Sequence, residues 1–284
     1  MATKNVNTTA PNILRLATEV QTDNGLLWTP PVFTHRTGRS EAGSSGSSTS
    51  NQNHGMLIRS FSLQNAATAG AVGIGWRFAN HSWEAGRYDG TTYTRVTDLQ
   101  TRTAAAIQTT GANQDGLLIL CREKPMWVSV NISTAETNAG GSTVVDHAVN
   151  YSAASGTWTA FTSGSFADDF TTTDAVWSAT IKNFVWIPPA AFVKTDSHTG
   201  VPVGFYGLYF DSAQREASDV AALATGIECG AFAAFLISLA QNGVYEEDPI
   251  GIENGYYSQY GNGLIAYFDA ANAQNIVSAA VESA

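Results

Sequence analysis

Large apolar residues alternate with polar ones along the middle of the chain, most clearly in three segments that carry Trp or Tyr. These segments are residues 151–161, 184–195 and 204–210. Such alternation is typical of β-strands that bury one face, and Gly, Pro, Ser and Asp at the joins indicate turns. The pattern therefore predicts a β-sandwich in this part of the chain.

The same alternation recurs upstream and adds further predicted strands. They cover residues 57–61, 71–78, 83–93, 116–120, 127–132 and 143–151. Asp89-Gly90 separates two aromatic runs, which is a strong signal for a hairpin turn. About eight or nine short strands favour an all-β fold, an antiparallel sandwich of the jelly-roll type. We expect its core to contain Trp76, Trp127, Trp158, Trp186 and Tyr206.

Composition changes on both sides of this region and predicts three parts. They are an extended N-terminal arm with a Ser/Gly-rich linker at 1–55, the jelly-roll sandwich at 56–213, and a C-terminal extension or additional strands at 214–284. The Ser/Gly tract alone cannot bury enough apolar surface to become ordered. Two interpretations of the first part stay open: a loose leader, or an arm that lies across a neighbouring subunit with Trp28 and Phe33 as anchors.

The chain carries unusually few charges for its length. Charged residues make up 13%, about half the usual share of roughly 25%. Neutral polar side chains must then coat the surface, which suits a protein held in an assembly. The net charge is −10 and there are only 14 Lys and Arg residues, whereas nucleic-acid binding needs clustered cations. The nearest approach to a basic patch is Arg122-Glu123-Lys124, which an acid divides, so we expect no nucleic-acid partner.

Two cysteines, Cys121 and Cys229, lie far apart in the sequence, each in an apolar neighbourhood. A disulfide between them stays open as an alternative. Apolar surroundings favour buried free thiols, because a buried thiol behaves as a small hydrophobic side chain.

The chain also lacks the apolar runs that direct proteins to or across membranes. Residues 1–9 contain no apolar stretch of the kind found in secretory signals. The longest apolar stretch, residues 229–240, is much shorter than the roughly 20 residues of a membrane helix. We expect a soluble protein that is made in a cytoplasm and has no membrane partner.

Side chains suited to catalysis are scattered along the chain. The 5 His residues show neither His-x-x-x-His nor Cys-x-x-Cys spacing, so no zinc site is predicted. No Gly-x-Ser-x-Gly motif is present, and Gly73-Ile-Gly75 lies inside a strand pattern rather than before a helix. We therefore expect no catalytic residue, no cofactor and no metal, and hence no enzyme.

Two groups of acidic residues are the best candidates for a catalytic or calcium-binding site. They are Asp168-Asp169 and Glu246-Glu247-Asp248. A glycosidase needs two carboxyl groups a few ångströms apart, and calcium binds carboxylate oxygens. Adjacent acids on a strand point to opposite faces, and both groups lie in turn-like sequence, so we favour solvated loops. A polysaccharide-cleaving enzyme and a weak calcium site stay open as alternatives.

A Gly-rich loop at 255–263 contains Tyr256, Tyr257 and Tyr260. Flat rings on a loop can stack on sugars, but Tyr also gives a subunit interface a large contact area at a small entropic cost. We favour the interface over the sugar platform.

Several of these segments together resemble a known family. The segments are Gly156-Thr-Trp-Thr-Ala160, Trp186-Ile-Pro-Pro189 with Phe192, residues 204–210, and the predicted hairpin at 83–94. They are similar to jelly-roll modules of tailed-bacteriophage virion proteins over roughly residues 57–212, where a Gly-x-Trp-Thr-Ala strand precedes a Trp-x-Pro-Pro step. Residues 204–210 carry no Arg where relatives often have one or two, which leaves the subfamily undecided.

The resemblance implies a non-enzymatic structural protein of the virion. Within that family, the low-charge surface and the predicted arm favour a capsid decoration or cement protein on the outer capsid surface, made in the host cytoplasm. Its expected partners are the major capsid protein and further copies of itself, as a homotrimer. The alternative is a tail, baseplate or head-fibre protein that binds host-surface glycans.

Overall fold

The computed structural model describes residues 12–17, 56–64, 69–78, 80–101, 103–107, 116–136, 148–162, 177, 181–211, 221–247, 256–258, 264–268 and 276–283. It is mostly antiparallel β-sheet with almost no helix, which confirms the predicted all-β class. The chain divides into two compact units. One unit is Arg77–Phe232, and the other combines Met1–Trp76 with Ala233–Ala284.

Strands are numbered in chain order within the described residues. They are β1 (Asn12–Ala17), β2 (Met56–Gln64), β3 (Gly70–Arg77), β4 (Trp83–Tyr88), β5 (Tyr93–Arg95), β6 (Ala105–Ala106), β7 (Gly116–Cys121), β8 (Trp127–Thr134), β9 (Ala148–Ser152), β10 (Trp158–Ala160), β11 (Ile181–Val185), β12 (Tyr206–Asp211), β13 (Leu223–Leu239), β14 (Val244–Glu247), β15 (Tyr256–Ser258), β16 (Leu264–Phe268) and β17 (Ile276–Ser283). Short helical turns occur at Asn80–Ser82, Asp98–Thr101 and Ala154–Gly156.

The unit Arg77–Phe232, called here the sandwich unit, contains one complete sheet and part of a second. The complete sheet has six strands in the order β10-β9-β12-β7-β4-β5. Of the second sheet, strands β11, β8 and the first part of β13 belong to this unit, and β6 pairs with β13. The pairings are antiparallel; for example, Tyr206 lies opposite Cys121 and Val185 lies opposite Trp127.

The two sheets of the sandwich unit face each other across an apolar core. Cys121 Sγ of β7 lies 3.7 Å from Cys229 Sγ of β13, and both thiols are buried and free. The rings of Phe184 in β11 and Phe210 in β12 lie 5.0 Å apart. Burial, and then the neighbouring Cys121, raise the pKa of the Cys229 thiol, which therefore stays protonated and packs as a small hydrophobic side chain.

A second apolar cluster covers the opposite face of the six-stranded sheet. It forms because β7 is apolar and buried at every position, so that its alternate residues need cover on both sides. The buried members of this outer cluster are Tyr88, Leu118, Leu120, Val201 and Tyr209, and the half-buried Tyr93, Trp158 and Phe205 pack against them.

The predicted core residues are distributed over several environments. Trp186 is fully buried, and its ring lies 5.7 Å from that of Phe161. Trp127 is 1% exposed, but strand alternation places it on the face of β8 opposite to Val128, the residue that pairs with Cys229. Trp76 lies in β3, and its side chain is outside the described part of the structure.

Two of the predicted core residues differ from the prediction. Trp158 is half-buried in the outer cluster, because it alternates with Thr159 and Gly207 leaves room for its ring. A Cβ at Gly207 would lie 2.8 Å from the Trp158 ring. Tyr206 is half-buried, because it is the first residue of β12 and lies at the end of the sandwich. The alternation of apolar and polar residues along a strand does not show which face of the sheet packs against another part of the protein.

The second unit is built around a sheet that joins both ends of the chain. Its strand order is β1-β17-β2-β14, and β15 also pairs with β2. Asn12 lies opposite Val281, and Ala17 lies opposite Ile276, so part of the predicted arm is an edge strand. Strand β16 pairs with β3 in this unit. The unit boundaries therefore differ from the predicted divisions at 55 and 213, because residues 56–76 pair with strands from the C-terminal part.

Candidate interaction surface

A long segment, residues 187–205, connects β11 to β12 and is attached to the six-stranded sheet by Ser152. The Ser152 hydroxyl donates to the carbonyl oxygen of Val193 at 2.5 Å and accepts from the amide of Gly207 at 3.0 Å. The Val193 amide in turn donates to the Ser152 carbonyl at 3.0 Å. Ser152 is fully buried, so these bonds satisfy the polar atoms of a strand end that water does not reach.

Thr195 closes the second half of the segment into a compact loop. Its amide donates to the Phe205 carbonyl at 2.6 Å, and its carbonyl accepts from the Gly204 amide at 2.8 Å. Its hydroxyl donates to the Pro202 carbonyl at 2.6 Å and accepts from the Phe205 amide at 3.2 Å. One buried threonine therefore fixes both ends of the 196–204 loop.

Asp196 attaches this loop to the turn before β10. Its carboxylate accepts hydrogen bonds from the amides of Ser155, at 3.2 Å, and Gly156, at 3.0 Å. Hydrogen bonds from the Ser197 amide and hydroxyl, followed by those from Ser155 and Gly156, lower the pKa of the Asp196 carboxyl. The bonds therefore favour the ionised form of Asp196.

The side chain of His198, a residue of this loop, contacts both the turn and the outer cluster. Its Nε2 lies 2.8 Å from the Thr157 carbonyl oxygen, so Nε2 carries a proton because a carbonyl can only accept. Its ring lies edge-on to Trp158 with centroids 4.7 Å apart. His198 belongs to a loop, but its side chain is buried.

The same loop is attached to the β4–β5 turn by Tyr88 and Gly200. The Tyr88 hydroxyl lies 2.9 Å from the Thr199 carbonyl oxygen and 2.8 Å from that of Gly90. Burial raises the pKa of Tyr88, so the phenol keeps the proton that it donates. Gly200 has φ +68°, and a Cβ there would lie 1.9 Å from the Thr91 carbonyl oxygen. Only glycine fits this approach of two turns.

The loop is thus a hydrogen-bonded cover over one sheet face, and the segment that carries it ends where four strands meet. Strands β7 and β11 end, and β8 and β12 begin, at this end of the sandwich, because Tyr206 pairs with Cys121 and Val185 pairs with Trp127. Side chains from the β7–β8 connection and from the 187–205 segment therefore come together here.

Cations lie over aromatic rings at this end. Lys124 Nζ lies 5.4 Å from the ring centre of Tyr206 and 5.8 Å from that of Phe192. Lys194 Nζ lies 5.5 Å from the Tyr206 ring centre. Two ammonium groups therefore share one half-buried tyrosine, a geometry in which the ring quadrupole attracts the cations.

A third cation extends this group. The Arg122 guanidinium lies 5.9 Å from the ring centre of Phe205, and the Arg122 amide is held by the Ser82 carbonyl at 2.8 Å. We call Arg122, Lys124 and Lys194 the cationic cluster. Within the part of the chain that the structure describes, no carboxylate forms an ion pair with any of its members. The arginines Arg77 and Arg95, by contrast, pair with Glu228 and Glu84.

Exposed apolar side chains accompany the cationic cluster. Ile187 is 56% exposed and directly follows Trp186, whose amide donates to the Met126 carbonyl in the β7–β8 connection. Val203 is 67% exposed and lies two residues before Phe205, the ring under Arg122. The end of the sandwich thus offers positive charge and apolar contact area together, a combination that can bind carboxylates flanked by apolar groups.

The residues predicted to form an interface are mostly outside the described residues. This applies to Trp28, Phe33 and Tyr260. Tyr256 and Tyr257 lie in β15, where they pair with Ile58 and Leu57 of β2. That pairing places them in a short strand rather than in the predicted loop.

The acidic candidates give no site either. Asp168, Asp169 and Asp248 are outside the described residues, and Glu246 and Glu247 end strand β14. Across the described ranges, His, Cys, Asp and Glu side chains form no group of three or more that could hold a metal ion. Among these same residues there is also no helix with the length and apolar character needed to cross a bilayer.

Sequence reasoning missed the cationic cluster because its members are separated along the chain. Arg122-Glu123-Lys124 was set aside as a patch divided by an acid, although neighbouring side chains in a connection need not point the same way. Lys194, inside the Phe192-Val-Lys-Thr segment of the resemblance, was the remaining signal. No described protein family, no curated protein and no solved structure matches the chain.

Proposed function

We propose that this chain is a non-enzymatic structural protein of a tailed-bacteriophage particle, a decoration or cement protein of the jelly-roll type. It binds the major capsid protein on the outer capsid surface and associates with itself as a homotrimer. Its role is to stabilise the shell by many weak contacts that the symmetry of the capsid multiplies.

The path of the chain between the two sheets supports the jelly-roll assignment best. Strands β7, β9, β10 and β12 belong to the six-stranded sheet, whereas β8, β11 and β13 belong to the facing sheet. From β10 onward, successive strands therefore alternate between the layers, as in double-sheet jelly rolls. The segments that carry the resemblance form β10, the Trp186 step and β12 of this arrangement.

The packing of the aromatic residues that carry the resemblance favours a structural role. Trp158, Trp186, Phe192 and Tyr206 pack against other rings or lie beneath cations. They build a rigid sandwich end with one exposed surface. A protein with that design can contact neighbours through its outside, as a decoration protein must.

Binding to purified capsids tests the proposal. Full-length protein is added to capsids of the encoding phage that lack it, and occupancy is measured by co-sedimentation and by imaging with an antibody to this chain. We expect saturable binding at symmetry-related positions and a trimer in analytical ultracentrifugation. Selective, saturable binding to host glycans, with no binding to capsids, would instead support the tail or head-fibre alternative.

A further inference from the structure

We propose that Lys124, Lys194 and Tyr206 form a docking site for a carboxylate side chain of a protein partner, flanked by apolar contacts to Ile187 and Val203. The inference rests on the proposed function for the identity of that partner, the major capsid protein. The chemistry of the partner segment follows from the surface itself: an acidic residue between apolar ones.

Charge complementarity points to an acidic partner. The chain has a net charge of −10, yet Lys124 and Lys194 place two ammonium groups within 5.5 Å of one ring centre. No described carboxylate forms an ion pair with either lysine. A carboxylate from another molecule would supply the missing counter-charge and could accept a charge-assisted hydrogen bond from either ammonium group.

The apolar neighbours indicate a protein segment rather than a free anion. Ile187 and Val203 are more than half exposed, although such side chains are usually buried in a folded chain. Both lie on the 187–205 segment, which the bonds to Ser152 and Thr195 hold in place. The partner therefore meets a surface that loses little conformational entropy on binding.

The position of the ammonium groups also favours a protein over a carbohydrate. Sugar recognition by aromatic residues uses the open face of a ring, but Lys124 and Lys194 both lie over the Tyr206 ring. The Phe192 ring meets the same tyrosine edge-on, with centroids 5.5 Å apart. Tyr206 thus serves to position the two lysines, and the lysines make the contact.

A peptide titration tests the site independently of any capsid. Full-length protein is titrated with an Asp-Ile-Glu-Val repeat peptide and with its uncharged counterpart Asn-Ile-Gln-Val, by NMR or calorimetry. We expect preference for the acidic peptide, weaker binding at high salt, and about tenfold weaker binding by the double variant K124Q/K194Q, since each exposed ion pair contributes up to about 1 kcal/mol.

The matched control is K182Q, which changes a lysine of β11 and should bind like the wild type. Equal affinity of wild type and K124Q/K194Q for the acidic peptide would overturn the site.

Two further experiments distinguish a failure of the docking site from a failure of the proposed function. Hyaluronate, an acidic polysaccharide, is titrated in parallel, and tighter binding of hyaluronate than of the acidic peptide would overturn the protein partner. On capsids, we expect K124Q/K194Q to lose occupancy that K182Q keeps. If wild type and K124Q/K194Q occupy capsids equally, the proposed function holds and the docking site is refuted. If the acidic peptide binds as expected and capsids do not, the docking site holds and the proposed function fails.

Discussion

The two faces of the six-stranded sheet bury apolar surface in different ways. On the inner face, a second sheet supplies the cover, and residues such as Phe184, Phe210 and Cys229 make contacts through shape alone. On the outer face, the cover is an irregular loop, and its contacts include polar groups. The Tyr88 hydroxyl bonds the loop backbone, and His198 packs on Trp158 while it bonds a turn.

This contrast indicates how stability is divided within the sandwich unit. An inner-face contact is part of the packing of both sheets, so its loss weakens the whole fold. An outer-face contact attaches a cover that can open while the sheets stay paired, because local opening costs less than global unfolding. Three members of the candidate docking site, Ile187, Lys194 and Val203, lie on the 187–205 segment that forms this cover, so their positions depend on a small number of hydrogen bonds. Four substitutions test this division.

The largest effect is expected from the inner face. Phe210→Ala removes a fully buried ring that contacts Phe184 and Trp177, and it should lower the free energy of unfolding by about 3–5 kcal/mol. Urea denaturation followed by Trp fluorescence measures the loss, with the m-value unchanged. A loss below about 1 kcal/mol would show that the two sheets are not packed as described.

A smaller loss is expected from Gly200→Ala on the outer face. The new Cβ would meet the Thr91 carbonyl at a position with φ +68°, so the loop must move, at a cost of about 1–3 kcal/mol. The matched control is Gly204→Ala, which also has positive φ, +93°, but meets no atom within 4 Å. Hydrogen exchange should become faster in the loop of both variants, because positive φ strains either alanine, and the increase should be larger for Gly200→Ala. Equal behaviour of the two variants would mean that backbone strain, rather than the contact with Thr91, decides the effect.

Thr195→Val should loosen the cover further along the same loop. The substitution keeps the shape but removes the hydroxyl bonds to Pro202 and Phe205, and it should cost about 1–2 kcal/mol. Thr199→Val is the control, since Thr199 takes part through its carbonyl, which the change retains. Exchange of the Phe205 amide measures the effect. The comparison fails if Thr199→Val destabilises the loop as much as Thr195→Val.

The smallest effect depends on pH. Hydrogen bonds lower the pKa of Asp196 in the folded protein below its ordinary value of 3.8. The contribution to stability is therefore fully present above that value and is lost as pH falls through the lowered pKa. Asp196→Asn should remove this acid dependence and make the loop exchange slightly faster at neutral pH, because an amide oxygen accepts these hydrogen bonds more weakly than a carboxylate. Asp89, whose pKa the Thr91 and Thr92 bonds also lower, keeps a separate acid dependence at the β4–β5 turn.

The strands of the sandwich unit could largely be predicted from sequence, whereas their faces could not. The runs at 116–120 and 127–132 lie within β7 and β8, because local alternation and apolar content are sufficient to define a strand. Trp158 and Tyr206 show that the sequence does not reveal which face of a strand is fully buried. Which side of a strand is covered depends on the 187–205 segment, whose path is determined by long-range bonds from Ser152 and Asp196. The composition of the two compact units also depends on long-range pairing, since β2 pairs with the distant β17.

Strand β13 has a practical consequence for work on fragments. It runs from Leu223 to Leu239, and the division between the units falls inside it, after Phe232; the other division falls inside β3, after Trp76. Trimming the chain after Phe232 would cut β13 within the strand, and trimming it after Trp76 would remove all of β3 except Arg77. Limited proteolysis should therefore release no intact sandwich unit with those ends, and a fragment of residues 77–232 would lack β3 and the last seven residues of β13.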